Sequence, residues 1–213
     1  MIQHFHKSYQ KFQKEIAEFI TDFSNSGEML GNEKRNTIKL FPLNEGVVNI
    51  KSFQVPNIFN QFAYKFLRKS KAQRSFEYAE KLLSLDIGTP QPVAYFEYYK
   101  GFLFNKSYYV SEHLDYDLTY RELINDLDYP DHENILRQFT KFTYKLHENN
   151  VHFLDHSPGN TLIKKVGDAY QFYLVDLNRM EFKSLSFEGR IKNFERLSKH
   201  KSMVEVMSDE YAK

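Results

Sequence analysis

Phe153-Leu154-Asp155-His156-Ser157-Pro158-Gly159-Asn160-Thr161-Leu162-Ile163 is the stretch on which the reading of this chain turns. An aspartate and an asparagine stand five positions apart, a Pro-Gly pair lies between them, and an apolar run follows. Sixteen residues beyond Asn160 a second apolar run, Tyr173-Leu174-Val175, ends in another acid, Asp176. Between the runs sits Gly167-Asp168, a turn signal, so Thr161 to Val166 and Tyr170 to Val175 read as the two strands of a hairpin. Such a hairpin carries Asp155, Asn160 and Asp176 to one edge.

Working outward, the segments before this edge divide by character. Phe5, Tyr9, Phe12, Ile16, Phe19 and Phe23 recur at three-and-four spacing and predict a leading amphipathic helix that ends at Ser24-Asn25-Ser26-Gly27. Thr37 to Phe41 and Val47 to Phe53 read as strands around a turn-rich connection. Pro56-Asn57 opens a helical pattern of Phe59, Phe62, Ala63, Phe66 and Leu67. The basic run Arg68, Lys69, Lys71 and Arg74 leads into a helix bearing Phe76, Ala79, Leu82 and Leu83, stopped at Gly88-Thr89-Pro90-Gln91-Pro92. Val93 to Tyr99 and Phe102 to Glu112 predict a second hairpin, turning at Lys100-Gly101. Helices follow at Thr119 to Leu127 and Asp131 to Asn149, then a polar loop from Val151 to Asn160. Ser186 to Lys213 is helical and charged. Strands early and helices late define an α+β chain.

Composition narrows the partners. Lys+Arg 29 against Asp+Glu 28 leaves a net charge of +1 over 213 residues, which excludes a strongly basic nucleic-acid-binding surface. Cys is 0, so disulfides, thiolate metal sites and a cysteine nucleophile are ruled out. Phe 20 and Tyr 15, with Trp 0, place much of the core on aromatic rings. The first residues lack the apolar centre of a signal peptide, and no apolar run is long enough to span a bilayer. The expected location is therefore cytoplasmic.

Two acids and an amide on one edge suit phosphoryl transfer. Mg²⁺ takes hard oxygen ligands and keeps several waters, so one carboxylate and one amide oxygen suffice from the protein. The remaining carboxylate can accept the proton of an attacking hydroxyl. An Asp, four residues, an Asn, then a strand ending in Asp is the arrangement of protein kinases. That arrangement also asks for a strand Lys and a helical Glu. Lys39 and Lys51 both qualify by type. Lys51 lies in the last strand before the helices and is the choice; of Glu77 and Glu80, Glu77 stands at the better distance before the Gly88 break. Neither phosphate-binding glycine motif, GxGxxG or GxxxxGK[ST], is present, and Gly27 and Gly31 before the first strand offer a cruder lid.

Taken together, these segments resemble the Kdo/WaaP family of lipopolysaccharide core kinases. The resemblance runs from about Gly31 to Phe194. Its most characteristic parts are residues 48–57 (VNIKSFQVPN), 68–77 (RKSKAQRSFE), 88–92 (GTPQP) and the Asp155 loop with Asp176. It implies a compact, bilobal, protein-kinase-like domain over 1–213, with a leading helix in 1–25, an antiparallel-sheet N-lobe in 26–113 and a reduced, mostly helical C-lobe in 114–213.

The resemblance further implies transfer of the γ-phosphate of ATP, with Mg²⁺, to a Kdo sugar of the lipopolysaccharide inner core. Asp155 would be the catalytic base, and Asn160 and Asp176 the Mg²⁺ ligands. Lys51 would contact the α/β-phosphates, Glu77 would orient it, and the backbone of Glu112 and Leu114 would face adenine. The partner is the inner-core glycolipid, with peripheral contact at the inner membrane. A heptose or other small-molecule acceptor, or a silent pseudokinase scaffold, are the alternatives. Phe153-Leu154 replaces the usual His-Arg before the catalytic Asp, so regulation by a phosphorylated activation loop is not expected. Asn178 stands where Asp-Phe-Gly ends in Gly.

Overall fold

In a computed structural model the described residues are 1–31, 36–44, 46–55, 68–101 and 103–213. The helical pattern expected from Pro56 to Leu67 lies outside them. The chain divides into two compact units, Met1–Lys81 with Pro90–Leu114, and Leu82–Thr89 with Asp115–Lys213.

The first unit is built on a six-stranded antiparallel sheet. Its strands are β1 (Ile2–Phe5), β2 (Glu28–Met29), β3 (Thr37–Leu43), β4 (Gly46–Phe53), β5 (Pro92–Lys100) and β6 (Leu103–Glu112), in the order β1-β5-β6-β4-β3-β2. Alternation fixes the faces. Lys39, Phe41 and Leu43 of β3 and Val48 and Ile50 of β4 are buried, and the helix α1 (Gln13–Thr21) adds Ile16 and Ile20 to the same core. Because cross-strand partners share a face, Lys39 lies with Ile50 on the core side, while Lys51 pairs with Ile38 and Tyr109 on the other. Gly101, at φ 57°, makes the β5–β6 turn.

The leading helix starts later than its periodicity predicts. Ile2–Phe5 is a strand paired with β5, His6 N–H donates to Val93 C=O at 2.9 Å, and a 3₁₀ turn over Lys7–Phe12 precedes α1. The free edge of β5 supplies backbone partners that a local pattern cannot reveal. Phe5 still reaches the core, from a strand rather than a helix. The helix α2 (Lys71–Ser84) takes in Lys71 and Arg74 of the basic run and ends in residues of the second unit.

The second unit packs helices around two short sheets. Its elements are β7 (Leu118–Thr119), α3 (Tyr120–Asn125), α4 (His132–Glu148), β8 (Val151–Phe153), β9 (Thr161–Val166), β10 (Ala169–Leu174), β11 (Met180–Phe182), α5 (Phe187–Asn193) and α6 (Lys201–Tyr211). β10, β9 and β7 form one antiparallel sheet, β11 and β8 the other. The hairpin expected around Gly167 is present, with Thr161 opposite Leu174. The strand β8 stands where a loop was expected, because β11 completes its ladder from 27 positions onward in Phe153↔Met180. Thr119 caps α3 in a reciprocal capping box with Glu122. Tyr120, Phe139, Ile163, Phe172 and Met203 lie in one core.

Salt bridges and ring contacts bind α4 to α6. Arg137 holds Glu133, Asp209 and Glu210, and Lys141 and Lys213 also reach Glu210. These cations drop the Glu210 carboxyl to about 2. Among the described residues no helix is long and apolar enough to cross a membrane.

Candidate active site

Within the second unit, the Asp155 loop is anchored at both ends by backbone pairing. On one side β8 pairs with β11, and Leu154 N–H donates to Arg179 C=O at 3.1 Å. On the other, Val175 N–H donates to Asn160 C=O at 3.0 Å, which sets Asn160 beside the residue before Asp176. Asn160 Nδ2 donates to the Asp155 carbonyl at 2.8 Å and closes the loop across its five residues. Three residues separated in sequence are thus tied to one strand edge.

Beneath the loop lies a polar relay. His147 of α4 bonds Tyr211 OH through Nδ1 (2.7 Å) and Asn193 Oδ1 through Nε2 (3.1 Å). Asn193 Nδ2 in turn donates to Phe153 C=O at 2.8 Å. His156 is buried between the rings of Phe139 and Phe153, and neither of its nitrogens has a hydrogen-bond partner among the described residues. Burial, assisted by His147, pushes its pKa down to about 3. It is a core residue that holds the loop floor.

Asp155 itself faces outward, one-fifth exposed, under two guanidinium groups. Arg196 Nη1 donates to its Oδ1 at 2.8 Å and Arg179 Nη1 stands 3.6 Å from the same oxygen. Nothing in the sequence singled out either arginine. Arg179 is three residues past Asp176, and Arg196 lies in the link between α5 and α6, 41 positions from the carboxylate it meets. The chain thus lacks an arginine beside its catalytic-type Asp in sequence but gains two in space.

Asp176 stands at φ 60°, in the left-handed region, where Asp and Asn are the tolerated non-glycine residues. Asn178 Nδ2 donates to its Oδ1 at 2.6 Å, and Asn178 and Leu177 are both buried. A buried Leu-Asn pair that holds the acid's own side chain fixes this turn. The fit to a hard cation is good. Asn160 turns its NH₂ group to the Asp155 carbonyl, so its amide oxygen is the atom left to face a ligand, and Asp176 contributes a carboxylate. Two protein oxygens suit an ion such as Mg²⁺, which takes its remaining ligands from water and phosphate.

In the first unit, Lys39 is a structural residue. Its ammonium donates to the carbonyls of Phe23 (2.8 Å), Ser24 (3.3 Å) and Ser26 (2.9 Å), sealing the chain after α1. Lys51, on the opposite face, lies 5.4 Å from the Phe53 ring centre. The described partners of Glu77 are Lys69 at 2.6 Å and Gln73 at 3.0 Å, rather than Lys51. Lys69 of the basic run is therefore engaged within its own unit. At the end of β6, Glu112 N–H donates to Gln91 C=O and its carboxylate accepts from Tyr9 OH. Next to it His113 N–H donates to Val47 C=O, and Leu114 closes the unit. Gly27, at φ 82°, lies so close to Phe41 that a Cβ would stand 2.5 Å from its ring, and Gly31 sits at φ 79°; they bracket β2.

His4 packs on Phe76 and Tyr95, and His152 meets Glu181 at 3.3 Å.

This mixed α/β fold, with its antiparallel sheet and helices, is shared with a solved structure described as WaaP in complex with acyl carrier protein. The two match with a TM-score of 0.68 at 13% identity, over 100% of this chain and 89% of that one. At that identity the likeness speaks for the fold. Among curated proteins no sequence matches the chain significantly. The family model of the lipopolysaccharide kinase (Kdo/WaaP) family matches residues 53–212, and the chain belongs to that family. Membership makes it a kinase, a phosphotransferase of lipopolysaccharide biosynthesis.

Proposed function

We propose that this protein transfers the γ-phosphate of ATP to a hydroxyl of the lipopolysaccharide inner core, on Kdo first and heptose second. The observation that carries the reading is the edge where Asn160 bonds the Asp155 carbonyl through its amide and Val175, the neighbour of Asp176, through its backbone. Asp155 accepts the proton of the attacking hydroxyl. The hydroxyl oxygen forms the new bond to the γ-phosphorus as the bond from that phosphorus to the bridging oxygen breaks, and ADP departs. Asn160 Oδ1 and the Asp176 carboxylate would hold Mg²⁺. When bound, the ion neutralises phosphate charge in a loose transition state.

Lys51 takes the α/β-phosphates, and the backbone of Glu112 and Leu114 meets the adenine. Glu77 orients Lys51, a role that asks it to exchange Lys69 for Lys51. The acceptor end of the reaction works at the membrane that carries the glycolipid, with the protein as a peripheral visitor to its cytoplasmic face.

The test is transfer from γ-labelled ATP, with Mg²⁺, to a Kdo-lipid A acceptor and to a heptose-extended one. Asp155→Asn should cut turnover by about 10²- to 10⁴-fold, the range for loss of a general base, while nucleotide binding persists. Asp176→Asn keeps a residue that tolerates the left-handed backbone and should weaken Mg-nucleotide binding itself. Full activity in both variants would refute the site. Nucleotide binding without transfer to any acceptor would point to the pseudokinase alternative.

A further inference from the structure

We infer that Arg179 and Arg196 form an anion-reading site at the acceptor hydroxyl and restrict the reaction to acceptors bearing a carboxylate or phosphate next to that hydroxyl. The inference rests on the reading of Asp155 as the base. Both guanidinium groups converge on one oxygen of Asp155, and among the described residues that carboxylate is the only acid either of them meets. These three side chains by themselves carry two positive charges against one negative. The neighbouring His156 adds none, since it is buried and neutral at ordinary pH.

Geometry adds the rest. A guanidinium carries five N–H donors in a planar fork suited to carboxylate and phosphate. Each of these engages Asp155 through one nitrogen, and the side chains of Arg179 and Arg196 are 59% and 58% exposed. Most of the donors therefore face outward, a few ångströms from the oxygen that must receive the hydroxyl proton. The two arginines come from different elements, one from the turn before β11 and one from the link after α5, so they flank the carboxylate.

The consequence is a selection rule. An anion beside the reacting hydroxyl draws the guanidinium groups onto itself and leaves Asp155 Oδ1 to the hydroxyl. A neutral acceptor leaves both arginines on that oxygen, where they occupy a lone pair that the hydroxyl proton needs. Anionic acceptors should gain in KM through the new contacts and in kcat through the released base.

The experiment compares three Kdo-lipid A acceptors with the wild type, Arg196→Gln and Arg179→Gln. One has its sugar carboxylate intact, one has it converted to a carboxamide, and one is the carboxamide with a phosphate ester on an adjacent hydroxyl. The wild type should favour the carboxylate over the carboxamide by about tenfold to hundredfold in kcat/KM, the worth of a charge-assisted hydrogen bond. Each Gln variant should erase most of that preference, losing on the carboxylate and gaining on the carboxamide as one guanidinium leaves Oδ1; Arg→Lys should restore part of it. Recovery on the third acceptor would make phosphate an equal source of the anion, and no recovery would make the carboxylate the group read. Equal rates on carboxylate and carboxamide in the wild type, or equal losses on both in the variants, would overturn the inference. Acceptor binding to the complex with a non-hydrolysable ATP analogue gives a second readout. There the same preference stands or falls without turnover, so failure of the arginine site is distinguishable from failure of Asp155 as base.

Discussion

Mild acid should destabilise this protein through a single histidine. His156 is 1% exposed, packed between Phe139 and Phe153, with neither ring nitrogen hydrogen-bonded among the described residues and a pKa of about 3 set by burial. In the unfolded chain the same ring titrates near 6.5. The neutral form is the one the fold accepts, so the contribution is fully present above pH 6.5 and is lost as pH falls toward 3. At 1.36 kcal/mol per unit, the loss between pH 7.5 and pH 5.0 comes to about 2 kcal/mol, a sizeable share of a normal domain stability of about 5–15 kcal/mol. His156→Leu removes the titrating group and two unsatisfied buried nitrogens while keeping an apolar side chain against the rings. Its stability at pH 7.5 should be within about 1 kcal/mol of wild type, and its advantage should grow by about 2 kcal/mol at pH 5.0. Urea unfolding followed by far-UV circular dichroism, at half-unit steps of pH, measures the difference directly. Curves for wild type and variant that fall in parallel would refute the argument, because the acid sensitivity would then belong to other groups.

Two further substitutions separate structural from chemical lysines and test the loop floor. Lys39→Met removes the ammonium that joins three carbonyls after α1 and should cost about 2–4 kcal/mol in chemical denaturation, with nucleotide affinity per folded molecule unchanged. A loss of nucleotide binding without a loss of stability would show that the wrong lysine was assigned to the phosphates. Gly88→Ala would drive a Cβ to 2.1 Å from the Phe172 carbonyl oxygen, next to the bonds Leu174 N–H to Gly88 C=O and Thr89 Oγ1 to Leu174 C=O. The backbone has nowhere to move, so thermal unfolding should report at least about 2 kcal/mol of destabilisation. A melting curve unchanged from wild type would mean that the strand yields more readily than its ladder implies.

The strands and helices that rest on local pattern were legible in advance. β3 and β4, the β5–β6 hairpin, α3, α4 and the β9–β10 hairpin all follow from alternation, three-and-four spacing and Gly-containing turns. The elements that were not legible are those whose partner is remote. β1 needs the edge of β5, β8 needs β11, and residues 2–5 carry an apolar spacing that fits a helix as readily as the strand they form. In the same way the spacing of Asp155, Asn160 and Asp176 was readable because one hairpin joins them, while the arginines on Asp155 were not.

The sequence by itself pointed to phosphoryl transfer, through the intervals of Asp155, Asn160 and Asp176 that a short strand–turn–strand converts into neighbours, and to the family, through its resemblance over residues 48–57, 68–77 and 88–92 as well. Tertiary structure decided which partner each charged side chain meets. Lys39 faces a core and three carbonyls, Glu77 meets Lys69, His156 loses its charge, and Arg179 and Arg196 land on one carboxylate oxygen. The physical reason is that backbone preferences act over a few residues and can be read from spacing. Coulomb attraction and desolvation depend on distances and burial that exist only once separate elements have packed.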